Sequence, residues 1–315
     1  PKMEMINSIG SRVMQGGSRR SAIYASLNWK HNDIPSFLTA KDWDKLPVGN
    51  TGYTLKQIKE QDFNFPAPLD MTNISVNYDT EWLLNYWKTG NVGEVFLKNV
   101  EQALRSAEPG FSFNFMENEN ETLRNACTEV CSADDSDVCN LGSINFGRIE
   151  SVAELASVVE LGTKFLVCGT LRAQLPYDKV YAVREKNRRL GLGVMGLHEW
   201  LIKKGSKYEV TEELHRWLAI YRVRAVAPTG SIGILAGTTT GIEPLFAVAY
   251  KRRYLTNGTR WKYQYVVDSA AQELIDIYGV KPESIESAID LAPDYERRIK
   301  FQADVQDYVD MSISS

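Results

Sequence analysis

Asn125, Cys127 and Glu129 stand at alternate positions in the run Asn125-Ala126-Cys127-Thr128-Glu129. In an extended segment, alternate side chains leave the same face. The spacing therefore predicts an amide, a thiol and a carboxylate within reach of one small molecule. A second thiol, Cys139, opens the run Cys139-Asn140-Leu141-Gly142-Ser143-Ile144-Asn145 after a polar turn. Few chemistries need a lone thiol, a base and a separate redox thiol in one pocket; radical reduction of a sugar is one of them. A well-placed carboxylate takes a hydroxyl proton at neutral pH, and thiol–disulfide exchange is a reversible two-electron reductant. These side chains cannot generate a radical themselves, so a cofactor or partner must supply it. Such a site should exclude water.

Other segments carry chemistry beside a plainer reading. In Met14-Gln15-Gly16-Gly17-Ser18-Arg19-Arg20-Ser21-Ala22, a Gly-rich loop offers an amide and a guanidinium that can touch a base edge and a phosphate; the plainer reading is an exposed turn. Ala227-Pro228-Thr229-Gly230-Ser231-Ile232-Gly233-Ile234 follows a short strand-like stretch. Its backbone amides suit a phosphate, although the lysine of a P-loop is missing, and a strand–helix connector is the other reading. Gly191-Leu192-Gly193-Val194-Met195-Gly196 fits G-x-G-x-x-G, but the charged stretch before it is no buried strand, so a close helix-packing site explains the glycines better than a dinucleotide. The third functional class, a nicotinamide-dependent dehydrogenase, rests on that motif alone. Cys127, Cys131 and Cys139 lack metal-ligand spacing, and His31, His198 and His215 supply neither a fourth ligand nor an evident partner base, so no metal site is expected. Cys131 and Cys168 read as inert, buried small hydrophobes.

The elements that must position these residues alternate between helix and strand, which argues an α/β class. Phe111, Phe113 and Phe115 alternate with polar residues as a half-buried strand, and a polar loop over 117–124 leads into the Cys127 segment. Helical spacing covers 151–170 and 192–202, the latter with Val194, Leu197, Trp200 and Leu201 on one side. Residues 211–221 form another amphipathic helix, with Thr211 as N-cap and Glu212 and Glu213 in its first turn. Residues 223–227 read as a short buried strand and 295–313 as helical.

The chain has 315 residues, 43% hydrophobic and 24% charged, with a formal charge of −4. That composition is typical of a globular protein able to bury a sizeable core. The charge balance gives no reason to expect a nucleic-acid or anionic-membrane partner, and Lys251-Arg252-Arg253 reads as a solvated face or local anion contact. Neither a membrane span nor a signal peptide is evident, and four sparse cysteines suggest reduced thiols in a cytoplasmic setting.

Taken in order, these segments resemble the catalytic subunit of ribonucleotide reductase of the class I and class II types, with the compact spacing of phage-encoded members. The matching segments are 15–22, 31–37, 125–129, 139–145, 189–197, 227–234, 241–244 and 305–314. Each is modest alone; the ordered set is specific.

The resemblance implies a ten-stranded α/β barrel with a central finger loop carrying the radical cysteine. Cys127 then corresponds to the thiyl residue that abstracts the ribose 3′ hydrogen, Glu129 to the base on the 3′ hydroxyl and Asn125 to the amide that orients the sugar. Cys139 resembles one of two thiols that supply electrons and end as a disulfide. Pro228, Thr229, Gly230, Ser231 and Ile232 resemble the loop that holds substrate phosphates. Gln15, Gly16, Gly17, Ser18 and Arg19 resemble the specificity loop that couples an effector to the choice of base. The implied partners are a ribonucleotide, dNTP or ATP effectors, a thioredoxin- or glutaredoxin-type reductant and a second copy in a homodimer. No cofactor motif is recognisable. The radical source is a metal-containing small subunit in class I or adenosylcobalamin in class II.

The implied location is the cytoplasm, that of the host for a phage protein. Residues 1–315 read as one catalytic barrel domain that lacks the family's upstream half-barrel and effector region, residues between 221 and 222, and the C-terminal tail. The partner thiol of Cys139 is expected upstream of the Gln15 loop. The alternative is an inactive nucleotide-binding remnant or regulatory subunit of the same family.

Overall fold

The computed structural model describes residues 2–15, 19–62, 64–256 and 260–315. They divide into two compact units: residues 1–127 with 131–133, and residues 128–130 with 134–315.

The first unit runs α1 (Lys2–Gly10), β1 (Met14–Gln15), β2 (Arg19–Arg20), β3 (Ile23–Asn28), α2 (Ile34–Leu38), α3 (Leu55–Gln61), β4 (Thr72–Tyr78), α4 (Thr80–Thr89), α5 (Glu94–Ser106), β5 (Gly110–Phe113), β6 (Leu123–Arg124) and β7 (Cys131–Ser132). Its centre is a parallel sheet in the order β3-β4-β5. Alternation divides this sheet into two unlike faces. Ala25, Leu27, Ile74, Val76, Tyr78 and Phe111 join an apolar core with Ile34, Phe37, Leu38, Trp82 and Phe96. The opposite positions carry Tyr24, Ser26, Ser75, Asn77 and Ser112. Burial forces these polar groups to pair: Ser112 Oγ lies 2.7 Å from the Tyr24 hydroxyl and 2.9 Å from Ser75 Oγ, and Asn77 donates to Ser26 Oγ at 3.0 Å. The strand expected through Phe115 ends at Phe113, since Met116 turns the chain at φ 53°.

The second unit runs β8 (Asn140–Asn145), α6 (Val152–Arg172), α7 (Asp178–Asn187), β9 (Leu190–Met195), α8 (Leu197–Lys203), α9 (Glu212–Tyr221), α10 (Gly230–Ala236), β10 (Ala249–Thr256), β11 (Arg260–Val267), α11 (Ser269–Asp276), α12 (Ala288–Leu291) and α13 (Tyr295–Gln306). The β8 and β9 strands pair in parallel across the long helix α6, whose N-cap Ser151 accepts from Glu154 N. Thr211 caps α9 in the same way through Leu214 N. Residues 192–195, read as helical from spacing, are strand; the helix begins at Leu197, after Gly196 at φ 71°. The apolar run satisfies either period, and pairing with β8 decides it.

Residues 223–226 are extended, with Val223, Ala225 and Val226 buried and Arg224 exposed. Arg224 N donates to Leu192 O, and isolated parallel bridges join Val223 to Val309 and Val226 to Ile313. The C-terminal helix accordingly stops at Gln306, because 309–313 are needed as an extended partner. Ile144, Phe146, Leu155, Val194, Leu197, Trp200, Leu214 and Phe301 build the core.

Parallel pairing with helical crossovers confirms the α/β class. Among the described residues the strands form separate sheets of two or three, without a closed barrel.

Candidate active site

Cys127 lies between β6 and β7, whose antiparallel pairing opposes Leu123 to Ser132 and Arg124 to Cys131. The segment between them is not extended as the alternation predicted. Ala126 and Cys127 form a turn, and Thr128 has φ 69°. A β-branched residue in that region is an outlier that its surroundings must enforce. The turn breaks the shared face expected for Asn125, Cys127 and Glu129: Cys127 is exposed, whereas Glu129 is buried.

Within the first unit, the rim of the polar sheet face ties this turn down. Asn73 donates from Nδ2 to Ala126 O at 2.7 Å. Arg124 donates from Nη2 to Asn114 Oδ1 at 2.8 Å, and Asn114 is 4% exposed. Asn125 and Cys127 share this anchored turn. Sequence reading missed Asn73 and Asn114; the only trace of them is a polar residue at every second place along two strands. Gln15 and Arg19 pair across β1 and β2, while Gly16, Gly17 and Ser18 lie outside the described residues. Cys131 is buried as expected, but Cys168 is exposed on α6, because that face of the helix does not meet the core.

The second unit brings Glu129 and Cys139 into one electrostatic neighbourhood. Glu129 is 1% exposed, and its carbonyl accepts from Ser312 N at 3.0 Å. Cys139 is half-buried just before β8. Burial pushes its thiol up to about 12; Arg189 opposes the shift, and Asp137 and Glu129 add to it. The acidic loop leading to Cys139 is pinned by the basic end of α7 and its connector. Arg189 Nε donates to Asp137 Oδ2 at 2.6 Å, and Lys186 and Asn187 hold Asp134. The charges that spoke against a dinucleotide strand thus anchor the loop before Cys139.

The glycines of 191–196 serve close approach within and beside the strand rather than helix packing. A Cβ at Gly191 would lie 2.3 Å from Leu141 and 3.1 Å from Cys139 Sγ, and one at Gly193 would lie 2.2 Å from Ala225 O. Pro228, Gly230, Ser231 and Ile232 are exposed around buried Thr229, which caps α10 at φ 51°. Gly241 N donates to Thr229 Oγ1 at 2.7 Å.

No group of three His, Cys, Asp or Glu side chains among the described residues is arranged to hold a metal ion. The histidines have local duties. His198 is buried, is lowered by that burial to about 4, and accepts from Leu245 N; His215 bonds the Tyr308 hydroxyl; His31 accepts from Asp33 N. No described helix is long and apolar enough to cross a membrane.

Parallel strand–helix units define an α/β protein, which carries an exposed thiol on an anchored turn and a half-buried thiol just before β8. The chain belongs to the ribonucleotide reductase family: the family described as "Ribonucleotide reductase, barrel domain" matches residues 1–221 and 217–315. A vitamin B12-dependent ribonucleoside-diphosphate reductase of Thermoplasma acidophilum is 25% identical over 314 residues, covering 83% of this chain and 40% of that protein. One of Mycobacterium tuberculosis is 25% identical over 386 residues, covering 99% and 54%. A putative adenosylcobalamin-dependent ribonucleoside-triphosphate reductase of Mycobacterium phage D29 is 26% identical over 288 residues, covering 80% and 39%. The chain spans about half the length, or less, of these relatives.

Proposed function

We propose that this chain carries the radical and reducing chemistry of a ribonucleotide reductase, converting a ribonucleoside di- or triphosphate to its 2′-deoxy form. One observation carries the reading: Asn125, Cys127 and Glu129 occur on and beside an anchored turn in a chain that matches the family along its whole length. In this reading residues 1–315 belong to one catalytic domain, a ten-stranded barrel around a finger loop.

The exposed Cys127, as a thiyl, takes the 3′ hydrogen atom and becomes a thiol. Glu129 receives the 3′ hydroxyl proton, and Asn125 orients the hydroxyls. The 2′ hydroxyl then leaves as water, which takes one proton, and the hydrogen that replaces it on C2′ takes a second, so the exchange requires two protons and two electrons in all. Two thiols supply the electrons and form a disulfide, and the 3′ hydrogen returns from Cys127. Cys139 is one of the two thiols. Its raised pKa keeps it protonated at neutral pH, which suits a donor of hydrogen equivalents more than a standing nucleophile. Burial of Glu129 keeps bulk water from the base. Pro228, Thr229, Gly230, Ser231 and Ile232 hold the substrate phosphates, and Gln15 to Arg19 sense the dNTP or ATP effector.

The donor set described above does not fit a metal centre, so no residue of this chain is assigned to the radical source. Adenosylcobalamin, when bound, supplies that radical. The names of three relatives favour it over a separate metallosubunit. The remaining assignments are a thioredoxin- or glutaredoxin-type reductant, a homodimer and a cytoplasmic setting, the host's if phage-encoded.

The test is turnover of labelled ribonucleotide with a dithiol reductant, adding adenosylcobalamin or a candidate metallosubunit in separate reactions. Deoxynucleotide with adenosylcobalamin is expected. Nucleotide binding without product under both conditions identifies an inactive remnant and overturns the proposal.

A further inference from the structure

At the C-terminal ends of β8 and β9 lies a buried ionic group that the chemistry above does not use. Glu199, on α8, is 1% exposed. Its Oε1 is 2.7 Å from Lys203 Nζ, which also donates to Gly147 O at 2.7 Å. Its Oε2 accepts from the Thr238 hydroxyl at 2.5 Å. The carboxylate sits so close beneath Gly147 that a Cβ there would meet it at 2.6 Å. A buried carboxylate with so tight a seat has few other positions available.

Thr238 connects this fixed point to the turn at Thr229. Thr238 N donates to Gly233 O at 3.0 Å, Gly233 N to Thr229 O at 2.7 Å, and Gly241 N to Thr229 Oγ1 at 2.7 Å. Gly196 N donates to Thr239 O at 2.7 Å, which ties the same segment to the end of β9. Thr229 and Thr238 are each 7% exposed. Pro228, Gly230, Ser231 and Ile232 face outward from the turn this scaffold holds.

We propose that Glu199 and Thr238 are positioning residues that fix the 228–232 turn for a nucleotide's phosphate groups. The inference rests on the phosphate-turn reading above. Its cause is mechanical: the Thr238 hydroxyl, which also lies 3.1 Å from Asn145 Oδ1, is the short side-chain link from the Glu199 carboxylate to the 229–241 segment, beside a longer contact of 3.4 Å from Glu199 N to Thr239 Oγ1. Losing it frees the turn while leaving its exposed residues unchanged.

The test compares cytidine diphosphate with cytidine by calorimetric titration of the protein and of Thr238→Val, Thr238→Ser and Thr238→Ala. The wild type should prefer the diphosphate. Thr238→Val should lower that preference about tenfold, consistent with the cost of a misplaced contact, and Thr238→Ser should restore it to within about twofold. Thr238→Ala adds no buried methyl against Glu199 and serves if the valine variant does not fold by circular dichroism. Equal weakening of both ligands, or an unchanged preference, overturns the positioning role while leaving the phosphate turn standing. A wild type that binds both ligands alike defeats the phosphate-turn reading and this inference with it.

Discussion

Cys127 is exposed on a turn whose backbone is held by side chains of a polar sheet face, through Asn73 and the Arg124–Asn114 contact. Cys139 is half-buried at the mouth of a parallel strand, where glycines let neighbours close in and a raised pKa keeps the thiol protonated. The first arrangement fixes where a sulfur is while leaving it reachable. The second controls the sulfur's protonation and shields it. A hydrogen-abstracting thiol needs defined placement beside a substrate, whereas a stored reductant must avoid adventitious oxidation. The contrast supports giving the two cysteines different roles, and each half of it can be broken separately.

Outside the two thiols themselves, Glu129→Gln should have the largest effect. Loss of a base costs about 10²–10⁴-fold in kcat, with KM kept, because the amide still fills the buried site. An equal rise in KM would instead mark Glu129 as a binding residue. Next comes Asn73→Ala, which releases the carbonyl of Ala126. A displacement of about 1 Å at the reacting group costs up to about 10²-fold, so kcat should fall about ten- to a hundredfold with nucleotide affinity unchanged. Unchanged turnover would show that the turn holds itself.

The smallest effect is in thiol reactivity, read by mass-spectrometric mapping of iodoacetamide adducts. At pH 8, Cys139 should react at least about tenfold more slowly than Cys127. Its rate should keep climbing as pH rises towards 12, because the thiol stays protonated until then. The same shift has a stability consequence. Below the thiol's ordinary value near 9, folded and unfolded chains are both protonated. As pH rises from there towards 12, the unfolded chain loses its proton first and folding weakens. A rate plateau near pH 9 would contradict the burial of Cys139.

Much of this was legible in the residues. Helical spacing marked the helices that begin near 151 and 211, and Thr211 caps the second as expected; Ser151 caps the first. The ordered motifs pointed to the family that the whole chain matches. The geometry around Cys127 was not legible, because alternation implies a shared face only if the backbone is extended, and Thr128 at φ 69° ends that condition. Residues 192–195 fit a helix until β8 is present to pair with them. Along β4 and β5 and just beyond them, Ser75, Asn77, Ser112 and Asn114 are buried, Ser75 pairing with Ser112, Asn77 with Ser26 and Asn114 with Arg124. Long-range partners made each of these decisions, and local spacing does not encode them.

The division of labour between the two thiols is tested most directly with a 3′-tritiated ribonucleotide and the radical source that supports turnover. Cys139→Ser should still pass tritium from the sugar through the Cys127 sulfur to water, while forming no deoxynucleotide. Cys127→Ser should do neither, although it binds the nucleotide as the wild type does. Tritium release that survives in Cys127→Ser would contradict the account, because some other group would then be taking the 3′ hydrogen.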